Sequence, residues 1–329
     1  GGTYLQGVNE NSIMEYMDQS AYMEYARILK DSNYNYSGER NRMPLYPGLM
    51  SLFLNENMSD EVFFRIGKIT GVIIALGVSV VAFFLFKKVS NTYDAAIAAL
   101  VTLFTIFAYK APYFHPEILF YGINLVLFYL LVTLIRKPRI GIAALAGITA
   151  GLGHLTKASV LPGLLLAALC LIIRGAMYIK NQRHEADFDP SFKSKARYFF
   201  THIAYVIILL SCFLVVIYPY IRNSKEQFGR YFYNVNSTFY MWYDSWNEAK
   251  NGTRAHGDRV GWPDLPDDQI PSFQKYIEEH TFKDIAKRFY IGSRIVWKDV
   301  TTSYGYVEFL GIYAVTIVLL LWQNKDWAK

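Results

Sequence analysis

The stretch VFFRIGKITGVIIALGVSVVAFFLF, residues 62–86, runs straight into Lys87-Lys88 and decides how this chain folds. It is apolar for longer than the roughly 20 residues that cross a bilayer core, and it ends on two cations. Outward from Val62–Phe86 lie six more apolar runs: Tyr93–Tyr109, Ile118–Ile135, Ile140–Leu155, Val160–Arg174, Phe199–Pro219 and Tyr306–Trp322. Threaded in alternation, they put Lys87-Lys88, Arg136-Lys137-Pro138-Arg139, the segment Lys180–Arg197 and the tail Lys325–Lys329 on one side. An excess of Lys and Arg in short loops marks the cytoplasmic face. The residues Gly1–Glu61 and Tyr220–Gly305 then fall on the extracytoplasmic side.

The expected fold class is therefore all-α: a polytopic membrane protein of about seven transmembrane helices with two large extracytoplasmic loops that bear amphipathic helices. Its expected organisation is a first loop over residues 1–61, a six-helix transmembrane bundle over 62–219, a second loop over 220–305, and a further helix with a cytoplasmic end over 306–329. The chain opens on the polar Gly1–Asn11, which cannot translocate itself. An N-terminal helix is accordingly expected to be missing from this sequence, ahead of Gly1.

Composition agrees. Hydrophobic residues make up 53% of the chain and charged residues 18%, richer and poorer respectively than a soluble domain. The formal charge of +6 sits mostly in the cytoplasmic loops, where orientation and anionic headgroups account for it. Nucleic acid is not an expected partner; membrane lipids are. Cys170 and Cys212 lie inside apolar runs, so no disulfide framework is implied. The runs Ile140–Leu155 and Val160–Arg174 are short, and Gly147, Gly151 and Gly153 weaken the first as an isolated helix. Small residues nevertheless let membrane helices pack closely. Four Asn-x-Ser/Thr sequons, at Asn35, Asn57, Asn236 and Asn251, all fall on the outer side.

In the first loop, Met14, Met17, Ala21, Tyr25 and Ile28 recur at spacings of three and four. That predicts an amphipathic helix over Ser12–Leu29, suited to the membrane interface. The run Met43-Pro44-Leu45-Tyr46-Pro47 is expected to break helix formation. The second loop opens with Tyr231-Phe232-Tyr233 and Phe239-Tyr240-Met241-Trp242-Tyr243, continues through a coil at Asn251–Pro271, and reaches a second amphipathic stretch at Ser272–Arg288. Its rings suit an interfacial belt or a wall on which sugars stack.

Several outer-face residues are candidates for chemistry. Asp18, held at the bilayer surface, is a candidate general base toward a hydroxyl; a solvated helix-face Asp is the alternative. Glu117, in Tyr113-Phe114-His115-Pro116-Glu117, is an ionisable group close to the apolar core, where such groups usually mark function. It equally suits the first turn of a helix. His115 is a candidate to share a divalent metal with Glu117 and Asp18, although scattered ligands are not a metal signature. Arg40 and Arg42 stand outside, where the positive-inside bias disfavours them, and a guanidinium fork grips phosphate. Lys157, in Gly153-His154-Leu155-Thr156-Lys157, reads as a phosphate contact or a snorkelling lysine. Neither a Gly-rich nucleotide loop, a Gly-x-Ser-x-Gly elbow nor a His-Glu-x-x-His motif competes with this set.

These motifs, taken in order, resemble the multi-pass glycosyltransferases of the C superfamily, which include protein O-mannosyltransferases and lipid A aminoarabinose transferases. The acidic motif in the first outer loop is matched by Asp18-Gln19-Ser20-Ala21-Tyr22, with Gln19 where the family usually has a second acid. The basic-x-Pro-Leu-Tyr element is matched by Arg42-Met43-Pro44-Leu45-Tyr46-Pro47. A second acidic position is matched by His115-Pro116-Glu117, and a Gly-rich run ending in Thr-Lys by Ala150–Lys157. The resemblance implies an inverting enzyme that moves a sugar from a polyprenyl-phosphate donor to a protein, lipid or glycan acceptor, in a bacterial inner membrane or the endoplasmic reticulum. It implies catalytic roles for Asp18 and Glu117, phosphate binding by Arg40, Arg42 and Lys157, a metal role for His115 with Glu117, and sugar or acceptor contacts by Tyr22, Tyr46 and His154. A non-catalytic membrane subunit of the same architecture is the alternative expectation.

Overall fold

A computed structural model describes residues 11–34, 40–181 and 192–303. The expected seventh run at 306–322, the opening residues 1–10 and the sequon at 35–37 lie outside the described residues. Among the described residues all regular structure is helical. By length and composition, four helices are able to cross a membrane: Asp60–Lys87, Glu117–Arg136, Ala158–Met177 and Ala196–Phe228. Two more, Thr92–Thr102 and Ile140–Thr156, are apolar but shorter. The chain is thus a membrane protein, with four helices of full spanning length among the described residues. The 17 residues of Ile140–Thr156 rise only about 25 Å as an α-helix, less than a typical hydrocarbon core of about 30 Å.

The chain divides into two compact units, residues 1–237 with 250–264, and residues 238–249 with 265–329. In the first unit α1 spans Gln19–Asp31, α2 Leu45–Ser51, α3 Asp60–Lys87 and α4 Thr92–Thr102. The last of these continues through a wider π turn at Leu103–Phe107 to Lys110. Then come α5 at Glu117–Arg136, α6 at Ile140–Thr156, α7 at Leu161–Asn181 and α8 at Phe192–Phe228. Ser59 caps α3 by accepting from the Val62 amide, and Asn91 caps α4 by accepting from the Asp94 amide.

Packing follows residue size. The helix α6 lies between α5 and α8, and α3 packs on α4 and α5. Ala143, Ala146, Gly147, Ala150 and Gly151 form the buried side of α6. A Cβ on Gly147 would stand 2.3 Å from the Leu209 carbonyl oxygen, and one on Gly151 would stand 2.6 Å from Cβ of Val216. At Gly147 the two backbones meet directly, and at Gly151 the α6 backbone seats the Val216 side chain. Along α3 the residues Ile69, Ile73, Leu76, Val80 and Phe84 are exposed. A row of bare apolar side chains on an apolar helix is a lipid-facing surface.

Four loop expectations need correction, three of them in the first unit. Residues 12 and 13 are irregular, residues 14–18 form turns, and helix α1 begins only at Gln19. Met17 takes a left-handed backbone (φ 57°), which ends any helical run through Met14 and Met17, so Asp18 stands at the N-cap of the helix rather than on its face. The Pro-rich run at 43–47 starts helix α2 instead of breaking one: Pro44 is its N-cap and Pro47 falls in its first turn, where a missing N–H costs nothing. Helix α8 continues past Pro219 to Phe228.

In the second unit, α9 spans Phe273–Glu279 and α10 spans Phe282–Ser303. The single amphipathic stretch expected at Ser272–Arg288 is therefore two helices, divided at His280-Thr281. Thr281 and Asp284 cap α10 reciprocally, with the Asp284 carboxylate accepting from the Thr281 amide at 3.0 Å. Asp244 receives His280 Nε2 at 2.9 Å and lies 3.6 Å from Arg288. That hydrogen bond to Asp244 is the largest of the influences that raise the His280 pKa.

The contact of α6 with α8 carries a prediction. Gly147→Ala is expected to cost about 1–3 kcal/mol, as overpacking does, because backbone rather than a pliant side chain blocks the new methyl. Gly77→Ala, with nothing within 4 Å, is expected to be neutral or to gain up to about 1 kcal/mol. Thermal unfolding of both variants in detergent checks the contrast.

Candidate functional site

The turn between α4 and α5 carries Phe114, His115 and Glu117, and glycines on α3 decide where it sits. A Cβ on Gly67 would fall 2.0 Å from the Phe114 ring, and one on Gly71 would fall 2.2 Å from the Ala111 carbonyl oxygen. Residues 111–116 thus nest directly on the α3 backbone. The Phe114 ring is wholly buried and meets Phe63 and Tyr46 edge-on, with centroids 5.1 and 5.6 Å apart.

From the other side the turn is held by Gln19 and Asn11, both fully buried. Gln19 Oε1 accepts from the Phe114 amide at 2.8 Å, while its Nε2 donates to Asn11 Oδ1 at 2.8 Å and to the Tyr16 carbonyl at 3.1 Å. Asn11 Nδ2 donates to the Pro112 carbonyl oxygen, and Lys68 Nζ donates to the Asn11 carbonyl oxygen at 3.1 Å. Gln19 therefore serves as a neutral bracket needing both a donor and an acceptor, which a carboxylate cannot supply.

This frame brings seven of the candidate residues into one contiguous group. Asp18 Oδ1 receives Arg42 Nη2 at 2.8 Å; the carboxylate is 57% exposed and the guanidinium 8%. The guanidinium lies over the Tyr22 ring, 5.6 Å from its centroid. Tyr22 meets His115 edge-on at 5.3 Å and Tyr46 at 5.8 Å. His115 Nδ1 pairs with Glu117 Oε2, and Lys157 Nζ reaches Glu117 Oε1 at 3.4 Å. Lys157 stands at the C-cap of α6 with an extended backbone, which turns its half-exposed ammonium toward the start of α5.

Tyr46 lies behind the group and is 1% exposed, so it backs the site and does not meet a ligand directly. Burial, foremost, holds its hydroxyl pKa well above the usual tyrosine value; the His115 backbone opposes this, and the nearby Glu117 adds to it. It keeps its proton.

Arg40 and His154 stand elsewhere. Arg40, expected at a phosphate, is fully buried: its guanidinium lies 3.9 Å from the Tyr220 ring centroid and donates to the Tyr220 carbonyl at 3.2 Å and to Asn223 Oδ1 at 2.8 Å. It fastens the first loop to the end of α8. His154, expected at the sugar, is buried and packs edge-on against Phe213 at 5.6 Å, in the contact of α6 with α8. Among the described residues no group of three or more His, Cys, Asp and Glu side chains gathers as metal ligands. His115 and Glu117 meet as a pair, and Asp18 does not join them.

A cleft of about 630 Å³ opens against the end of α8 at Tyr220 and Asn223, the residues that hold Arg40, and none of the seven grouped residues lines it. Leu29, Pro44, Leu155, Val216 and Pro219 give it apolar walls, and Asn223 with the Arg222–Glu226 ion pair gives it a polar lip. Pro44 and Leu155 are each two residues from a cation of the group, Arg42 and Lys157.

Comparison of the chain with protein-family models, with curated proteins and with solved structures yields no match.

Sequence reasoning missed the Gln19–Asn11 bracket and the glycine seat. Gly67 and Gly71, four residues apart on an apolar helix, carried a readable signal, since small-xxx-small spacing marks close backbone approach. Nothing in the sequence paired Asn11 with Gln19. Gln19→Ala leaves the Phe114 amide and the Asn11 side chain without these partners. It is expected to lower stability by about 1–3 kcal/mol, the cost of orphaned buried polar groups, seen as a lower midpoint in detergent unfolding.

Proposed function

We propose that this chain is an inverting glycosyltransferase that moves a sugar from a polyprenyl-phosphate donor to a hydroxyl acceptor at the extracytoplasmic face of the membrane. The observation that carries the reading is the joining of Asp18, Arg42, Tyr22, His115, Glu117 and Lys157 through direct contacts. Two carboxylates and two cations gathered on a protein with membrane-length helices suit a substrate that has a phosphate, a sugar and an apolar tail.

In this reading Asp18 takes the proton of the acceptor hydroxyl. The freed oxygen attacks the anomeric carbon, the bond from that carbon to the phosphate oxygen breaks, and the lipid phosphate departs from the opposite side. Arg42 orients Asp18. Lys157, half exposed and loosely paired with Glu117, meets the charge that develops on the leaving phosphate, an electrostatic role that is usually the largest single catalytic contribution. Glu117 orients Lys157, and Tyr22 offers a ring to the sugar. His115 and Glu117 would supply two of the ligands a divalent cation takes. The acceptor is a hydroxyl of a protein, lipid or glycan.

A second reading, a non-catalytic membrane subunit, draws on a specific observation: Gln19 has become structural, and the charges of the group already neutralise one another in pairs.

The deciding experiment supplies the full-length protein with polyprenyl-phosphate sugars and acceptors and measures release of the lipid phosphate. Asp18→Asn is expected to reduce turnover by about 10²–10⁴-fold, the usual worth of a general base, and Lys157→Met by about 10²–10³-fold. Full activity in both Asp18→Asn and Glu117→Gln would sink the enzyme assignment. No release from any donor by folded wild-type protein, with copurifying partners, would favour the subunit.

A further inference from the structure

The second unit carries a helix whose surface neither the fold nor the proposed reaction uses. Between Phe282 and Lys298, α10 has five basic residues and a single acid, Asp284, and that acid is engaged by Thr281 at the helix start. At 100° per residue, Phe282, Phe289, Val296 and Trp297 fall within an arc of about 100°. They are 84%, 74%, 62% and 67% exposed. Lys283, Lys287, Arg294 and Lys298 fall within an arc of about 60° directly beside them, and all four are exposed. The fifth base, Arg288, lies on another side, where it donates to the carbonyl oxygens of Met241 and Tyr243 at 2.8 and 2.9 Å. The packed side of the helix is thus the Arg288 side, and the aromatic face with its basic flank points away from it.

An aromatic and aliphatic face edged by one stripe of cations matches the depth profile of a bilayer surface, with acyl chains below and phosphates at the rim. The stripe also selects among lipids, since cations near the surface favour anionic headgroups. The sequence adds a tether. Only two residues separate Ser303 from the apolar run at 306–322, and two extended residues span at most about 7 Å. If that run crosses the membrane, the end of α10 is held at the bilayer surface.

We infer that α10 is an in-plane anchor that inserts Phe282, Phe289, Val296 and Trp297 among the lipids and binds anionic phospholipid headgroups through Lys283, Lys287, Arg294 and Lys298. The anchor is independent of the glycosyltransferase reading. It would serve a scaffold as well as an enzyme.

The test uses the full chain with Cys170→Ser and Cys212→Ala, carrying a nitroxide at Phe289→Cys or, on the opposite face, at Ile291→Cys. Vesicles are made of phosphatidylcholine alone or mixed with phosphatidylglycerol. Collision of each label with oxygen and with a water-soluble nickel chelate is measured. The expected result is a severalfold higher oxygen-to-nickel ratio at 289 than at 291, rising further with phosphatidylglycerol. That rise should vanish when the four cations are replaced together by Gln, a residue that preserves helix propensity, while elution on gel filtration stays unchanged. Equal nickel access at both positions would place the helix in water and overturn the inference. Shielding of 289 from both reagents would mean a protein covers the face and would also overturn it. A contrast insensitive to phosphatidylglycerol would overturn the anionic selectivity.

Discussion

Backbone-to-backbone approach at glycine is the constraint on which the described structure rests. Lipid offers membrane helices no hydrophobic drive to associate, so they hold together by close packing, and packing is closest where no Cβ intervenes. Gly147 and Gly151 let α6 touch α8. Gly67 and Gly71 let the turn at 111–116 lie on α3. The first contact organises the bundle and the second sets the position of the ionisable cluster gathered at the start of α5. Glycine costs an isolated helix about 1 kcal/mol, a loss that tertiary contact here offsets.

A second consequence is that the polar groups near this end of the bundle have to satisfy one another. Gln19 and Asn11 form a neutral bracket, Arg40 spreads over Tyr220 and two acceptors, and Asp18 and Glu117 are each met by a cation. An unpaired buried charge would cost far more than such pairs return at the surface. The same pairing gives the site its character. Asp18 and Lys157, the more exposed member of each pair, remain open to a ligand, while their partners Arg42 and Glu117 are largely buried and fix their direction. The exposed and the buried member of each pair are thereby told apart by burial alone.

Most of the candidate residues read from the sequence are neighbours in the structure. Asp18, Arg42, Tyr22, His115, Glu117 and Lys157 come together although they derive from four separate places in the chain, because each lies at an end of an apolar run or in the loop that covers those ends. Tyr46 joins them from behind, where its ring is needed against Phe114. Arg40 and His154 carried the same chemical signal as their neighbours. Whether a guanidinium faces a ligand or the Tyr220 ring depends on the partner that reaches it from 180 residues away, and local spacing holds no record of that.

By itself the sequence determined the all-helical class, the approximate ends of the apolar helices α3, α5 and α6, and the pairing of basic clusters with one set of helix ends. These follow from runs of hydrophobic side chains and the cost of exposing backbone polar groups to lipid, both local properties. Tertiary structure alone decided that Met17 turns the chain and delays α1, that Pro44 begins a helix, that Gln19 brackets the 111–116 turn, and that α10 leaves its aromatic face unpacked. Each of those outcomes depends on which distant backbone or side chain arrives at a given point, and long-range contacts are not encoded in the period or composition of any one segment.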